Sequence, residues 1–226
     1  MRLLAALAGL FTAAPVLAAC GQPIDGRGVV PPAHAGRALS GGDLDNILLT
    51  PPQLSGVVGA KLGLQADVAR PVAGDPAEGP CAGLDTVGMQ PFIGDGFSAF
   101  RLLLLSDGGA TQHDHVVAEA AAVYPDTASA AKAFTAAAAG LPTCDGRNVK
   151  TEAAWRFAVN DVGADTVRWN KEQTDLPMLW VCYGQARVRV NVIVQVMSCQ
   201  GDDGGQGNAD AISNRMSASV WELSGG

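Results

Sequence analysis

The longest alternation of apolar and polar positions lies between two cysteines. Read from Trp180 to Cys199 it is WVCYGQARVRVNVIVQVMSC. Val188, Val190, Val192, Val194 and Val196 alternate with Arg187, Arg189, Asn191, Ile193 and Gln195. β-Branched residues at period two predict a strand or hairpin with one core face and one polar face. Arg187, Arg189, Asn191 and Gln195 are the candidate lining of a ligand cleft, a solvated sheet face being the plainer alternative for any one of them. The hairpin turns either at Val190-Asn191, which sets Cys182 opposite Cys199, or at Gly184-Gln185; the first is preferred.

Strand-like segments precede this one. Gln90 to Ile93 is a short candidate, Ser98 to Leu105 a stronger one, and Asp107-Gly108-Gly109 a turn. His115 to Tyr124 reads as a strand ended by Pro125, despite its alanines. Ala153 to Asn160, Thr166 to Glu172 and Pro177 to Gly184 follow, joined by polar turns. Helical spacing appears in three places. Thr50 caps a helix that opens on Pro51-Pro52, carries Leu54, Val57, Val58, Lys61 and Leu62 at helical spacing, and stops at Gly63. Asp126 or Thr127 caps Ala128 to Ala139, with Ala131, Phe134 and Ala138 on one face. Ala209 to Val220 places Ile212, Met216 and Val220 at i, i+4, i+8. Residues 65–80 and 201–208 read as loops. Strands adjacent in sequence, without βαβ alternation, predict an α+β fold: an antiparallel sheet with helices packed on one face.

The ends of the chain add a location. Residues 1–19 form an export signal, with Arg2 before the apolar run Leu3 to Leu17, which is too short to remain as a membrane span. Leu17-Ala18-Ala19-Cys20 resembles the lipobox of bacterial lipoproteins, which implies cleavage before Cys20 and lipidation of that cysteine. The partner so implied is a membrane, and the location its extracytoplasmic face. Residues 20–42 are rich in Gly, Pro and Ala and read as a flexible tether reaching roughly 25 Å. The folded domain is then expected over 43–226. A net charge of −7, with no basic run, argues against a nucleic-acid partner. Cys81, Cys144, Cys182 and Cys199 remain once Cys20 is set aside. An even number in an exported chain predicts two disulfides, in one of three connectivities. No C-x-x-C spacing supports a metal site instead.

Several stretches taken together resemble the PknH-like extracellular sensor domain family, named for a mycobacterial serine/threonine kinase and shared by stand-alone lipoproteins. They are LDNILLTPPQL from Leu44, Val123-Tyr124-Pro125 before a helix holding Ala130, Ala131 and Phe134, Cys144-Asp145-Gly146, and Trp180-x-Cys182 with Asn191-Val192 before Cys199. The Ala- and Gly-rich composition suits an actinobacterial origin. Two positions depart from the family: Leu141-Pro142 where a Trp is frequent, and Val190-Asn191 where Asn-Asn is. The resemblance implies an antiparallel sheet with helices on one side, a cleft, disulfides Cys81–Cys144 and Cys182–Cys199, and a sensor role without catalysis. Closing those loops would remove about 4 and about 3 kcal/mol of unfolded-chain entropy, respectively. No kinase motif is present, so kinase activity does not carry over.

Residue chemistry leaves three readings: a binding or sensor module for an unknown envelope ligand, a protein-docking module, and an envelope hydrolase. There is no G-x-S-x-G, H-E-x-x-H or P-loop, and no cofactor is implied. His113-Asp114-His115 is a candidate metal pair set against an exposed turn, and Asp202 to Asp210 a calcium-like stretch set against a solvated loop. His34 falls in the tether. A Ser or Asp within reach of His113 or His115 would favour hydrolysis. Trp155, Trp169, Trp180 and Trp221 read as core or rim.

Overall fold

The computed structural model describes residues 36–108, 113–150 and 153–226. Residues 1–35, with Cys20, the export signal and most of the tether, lie outside the described residues. Eight antiparallel strands form one sheet: β1 (Gly63–Val68), β2 (Ala99–Ser106), β3 (His115–Val123), β4 (Asn148–Lys150), β5 (Ala154–Val162), β6 (Thr166–Gln173), β7 (Val181–Arg189) and β8 (Val192–Gln200). Their spatial order is β1-β2-β3-β8-β7-β6-β5-β4. Among the described residues five α-helices accompany them: α1 (Leu44–Ile47), α2 (Pro51–Val58), α3 (Gln90–Ile93), α4 (Thr127–Ala139) and α5 (Gly204–Ser224).

The fold class and the antiparallel sheet are as expected. The placement of the helices needs a correction, because they cover both faces rather than one. On the front, α3, α4 and the 3₁₀ segment Pro76–Leu84 pack Phe92, Phe134 and Leu84 onto Phe100, Leu102, Ala120, Ala122 and Ile193. On the back, α1, α2 and α5 pack Leu54, Ile212, Met216 and Val220 onto Leu103, Leu105, Val117, Ala121 and Val194. β3 and β8 are thus buried on both sides. Double burial explains why Ala118, Ala120, Ala121 and Ala122 sit in a strand despite their helix propensity: helices on both faces need small residues between them.

Local boundaries shift for identifiable reasons. Gln90 to Ile93, expected as a strand, is the helix α3, with Pro91 in its first turn. The expected loop at 65–80 holds most of β1, and the short β4 also went unforeseen. The strand expected at Pro177 begins only at Val181, so residues 174–180 are a loop. α5 starts at Gly204 rather than Ala209, inside the expected loop, and Gly205 lets its first turn lie against the sheet, since a Cβ there would meet Ser198 O and Tyr183 Cδ2 at 3.0 Å. Two N-caps hold as read, although the helix that Thr50 opens ends at Val58 with Gly59 as its C-cap rather than at Gly63. The Thr50 amide donates to Gln53 Oε1 at 2.8 Å, and Asp126 accepts from the Ser129 amide at 2.7 Å.

The hairpin turns at Val190-Asn191, leaving Val190 at φ 52°, a strained region for a β-branched residue. Cys182 and Cys199 are direct cross-strand partners. Both disulfides form as the family resemblance implies, Cys81–Cys144 and Cys182–Cys199. The domain also begins earlier than residue 43. Leu39 is buried, its amide donates to Asn191 Oδ1 at 2.8 Å, and Asn191 Nδ2 returns a bond to Leu39 O at 2.9 Å. Arg37 pairs with Asp43 at 2.7 Å. The expected tether is therefore folded from residue 36 onward.

Candidate functional site

The front cover stops short of one end of the sheet. There, successive strands turn front-facing residues toward a recess: Leu104 and Ser106 of β2, Val116 and Ala118 of β3, Met197 and Cys199 of β8, Cys182 of β7, Lys171 of β6 and Trp155 of β5. They line a cleft of about 540 Å³, closed at its sides by Gln65, Asp85, Thr86, His113 and Trp180. That volume lies within the common ligand range of roughly 300–1,000 Å³. A second recess, also about 540 Å³, shares His113 and Trp180 and continues to Asp107, Asp114, Gln173, Leu176 and Met178. Leu176, Met178 and Leu179 are exposed in the β6–β7 loop, Met178 by 69%.

Lys171 is the buried charge of the cleft. Its Nζ lies 2.7 Å from Asp85 Oδ1 and 4.1 Å from the Trp155 ring centroid. Burial pushes the Lys171 pKa down, while Asp85 and Glu78 hold it up. Glu78, also buried, is raised first by desolvation and then by the neighbouring charges of Asp85 and Asp75. Trp169 fixes this corner by donating from Nε1 to Leu84 O at 2.9 Å, which sets Asp85 beside the sheet. Trp169 in turn lies over Gly184 on the next strand, where a Cβ would fall 2.1 Å from the ring. On the other side the His113 ring meets Trp180 edge-on, centroids 5.4 Å apart.

His115 is held differently. Its Nδ1 lies 2.6 Å from Asp107 Oδ2, while Asp107 Oδ1 accepts the amides of Asp114 and His115 at 3.0 Å. Burial alone would raise the Asp107 carboxyl, but these bonds, His115's first among them, bring it below its ordinary value. An aspartate does stand beside a histidine, yet it uses its second oxygen to lock the β2–β3 turn. No hydroxyl or thiol reaches His115 in the described hydrogen bonds. Among the described residues no group of three His, Cys, Asp or Glu is placed to hold a metal. Asp202 accepts the Gly204 amide at 2.9 Å, so that acidic stretch opens α5.

The four residues read as a ligand lining do not come together. Val190 and Asn191 occupy the turn, and this reverses the parity of the alternation between the two strands. Arg187 and Arg189 fall on the back, where Arg187 donates to Asn214 of α5 at 2.7 Å and Arg189 to Asp165 at 2.5 Å. Gln195 falls on the front, buried away from the cleft, and accepts the Gly88 amide at 2.7 Å. Asn191 is a buried clamp that also donates to Tyr124 O at 2.6 Å. The cleft residues missed from sequence are Lys171 and Asp85. Val167, Trp169 and Lys171 alternate in β6, so a lysine at an inward position was the available signal. Of the four tryptophans, Trp155 and Trp180 border the cleft, Trp169 is core and Trp221 is exposed on α5.

No helix among the described residues is long and apolar enough to cross a membrane. None of the curated protein sequences compared with the chain matches it significantly. The crystal structure of the extracellular domain of PknH from Mycobacterium tuberculosis superposes with a TM-score of 0.72 at 20% identity, covering 83% of this chain and 99% of that one. The family model of the PknH-like extracellular domain matches residues 39–218. The chain therefore belongs to the PknH-like extracellular domain family, which places its folded domain outside the cytoplasm.

Proposed function

We propose that the protein is a membrane-anchored lipoprotein that binds an envelope ligand in the front cleft and performs no catalysis. Cys20, lipidated after removal of residues 1–19, anchors it, and the segment before residue 36 spaces the domain from the bilayer. More than one acyl chain gives stable anchoring. The observation that carries the binding role is the uncovered end of the front face, where apolar floor, two tryptophans and a partly buried ion pair converge. Such a combination of concave apolar surface and few polar groups is typical of ligand sites. The exposed Leu176, Met178 and Leu179 favour a second reading, in which the same end docks a protein.

Trp155 and Trp180 are built-in reporters of the binding role. Titrating envelope lipids, glycans and peptidoglycan fragments against tryptophan emission should shift the signal for one class and raise the melting temperature. Uniform silence would leave the docking reading. Intact-mass measurement of the membrane-extracted protein should show a diacylglyceryl adduct at Cys20; an unmodified thiol there would end the anchored account.

A further inference from the structure

Granting that the cleft binds a ligand, its lining discriminates among ligand classes. Leu104, Val116, Ala118, Met197 and the Cys182–Cys199 bridge make most of the floor, and the hydroxyl among them, Ser106 Oγ, already donates to Gly108 O at 2.7 Å. A polar body laid on it would lose its water and gain no partners, which is costly. The floor therefore selects an apolar body, flanked by the Trp155 and Trp180 rings. The deep end holds a cation, Lys171, but Asp85 neutralises it at 2.7 Å and Trp155 covers it. No uncompensated positive charge awaits a phosphate or carboxylate there.

The mouth has the opposite character. Asp107 and Asp114 border it beside Gln173, with Leu176 and Met178 forming its apolar lip. An anionic head would meet two carboxylates, whereas hydroxyls would find acceptors on Asp114 and Gln173, the Asp107 oxygens being engaged by His115 and the Asp114 amide. The geometry points to a single-chain amphiphile with an uncharged, hydroxyl-bearing head, the chemistry of a glycolipid or monoacylglycerol. Its tail lies on the floor between Trp155 and Trp180. Its head sits at the mouth on Asp114 and Gln173. Leu176 and Met178 cover the junction between the two.

The test uses the full chain carrying Cys20→Ser, purified without detergent, and three probes held below their micelle thresholds. They are dodecyl maltoside, maltose alone and dodecyl phosphate. Dodecyl maltoside should shift tryptophan emission and saturate, maltose should do nothing, and dodecyl phosphate should bind at least tenfold more weakly. Trp180→Ala should weaken dodecyl maltoside at least tenfold while Trp180→Phe restores most of it, which a general loss of folding would not do. Maltose binding as tightly as dodecyl maltoside would overturn the amphiphile class and leave a glycan site. Dodecyl phosphate binding equally or better would overturn the neutral head. Silence of all three, with a response to a soluble envelope extract, would sink the ligand class but keep the binding role. Silence to the extract as well would sink both.

Discussion

The two faces of one sheet are closed to different extents. Across the back runs α5, whose 21 residues make a rod of about 31 Å, close to the length of a nine-residue strand. Across the front, the 13 residues of α4 make about 20 Å, and α3 adds a single turn. Both faces pack an apolar cluster where they are covered. The difference lies in how far the cover extends, and the uncovered end of the front is the cleft. A face can thus be freed for binding by shortening its helix while keeping the sheet residues apolar.

The largest effect should come from the staples, which serve the two ends of the front face differently. Cys81–Cys144 joins the 3₁₀ segment Pro76–Leu84 to the turn after α4, so it holds the cover together. Replacing both cysteines by alanine should cost about 4 kcal/mol, from the long loop it closes. It should also loosen Asp85 and weaken the cleft. Replacing Cys182 and Cys199 should cost about 3 kcal/mol and remove only part of the floor. Urea unfolding midpoints rank the two; equal losses, or a reversed order, would break the distinction between cover and floor.

The back carries its own liability, and it is electrostatic. Glu119 is fully buried on β3, and the Leu49 amide that faces it does not complete a hydrogen bond to either carboxyl oxygen. Burial raises its pKa to about 8 from an ordinary 4.5, and the Leu49 amide and the Arg101 charge offset this only in part. The folded state holds a proton that the unfolded chain releases above its own pKa. This contribution is therefore fully present below about pH 4.5 and is lost as pH rises through about 8. The loss is on the order of a few kcal/mol across that window. Stability measured by denaturant at pH 5 and pH 8 should differ accordingly, and Glu119→Gln should remove most of the difference. An unchanged slope in the variant would assign it to other groups.

How far the sequence could be read follows from which interactions were local. The caps at Thr50 and Asp126, the Ile212–Met216–Val220 stripe and the antiparallel order all depend on neighbours in sequence or on short connections. Pairing of the cysteines came from the family resemblance. The cleft was not readable, because it arises from where the front cover ends, a property of tertiary packing. The Arg187–Gln195 alternation misled for a related reason: one two-residue turn places the arginines and the glutamine on opposite faces. β1 was hidden in a segment rich in turn residues, paired only by its edge position beside β2. α5's early start was hidden by glycines that disfavour helix locally but are required where the helix meets Tyr183.

The N-terminal segment offers a smaller effect. The Asn191 side chain makes three hydrogen bonds from a fully buried position, two to Leu39 and one to Tyr124. Asn191→Ala should cost about 2 kcal/mol by leaving buried backbone groups unpaired. Hydrogen exchange should show residues 36–43 losing protection before the sheet does. Simultaneous loss throughout would mean that the segment is integral to the cooperative unit.

The smallest expected effects separate the faces most cleanly. Arg187 is partly exposed on the back and tied to Asn214, while Met178 is largely exposed at the front mouth. Neither supports the core, so Arg187→Ala and Met178→Ser should each change stability by no more than about 0.5 kcal/mol. Their effects on the cleft should differ. Met178→Ser removes apolar lip and should weaken an apolar ligand several-fold, whereas Arg187→Ala acts on the opposite side of the sheet and should leave binding unchanged. If Arg187→Ala weakened binding as much, the polar residues of the hairpin would belong to the site after all. Recognition would then have to use the back face, where α5 covers the apolar core but leaves the guanidinium groups in reach of solvent.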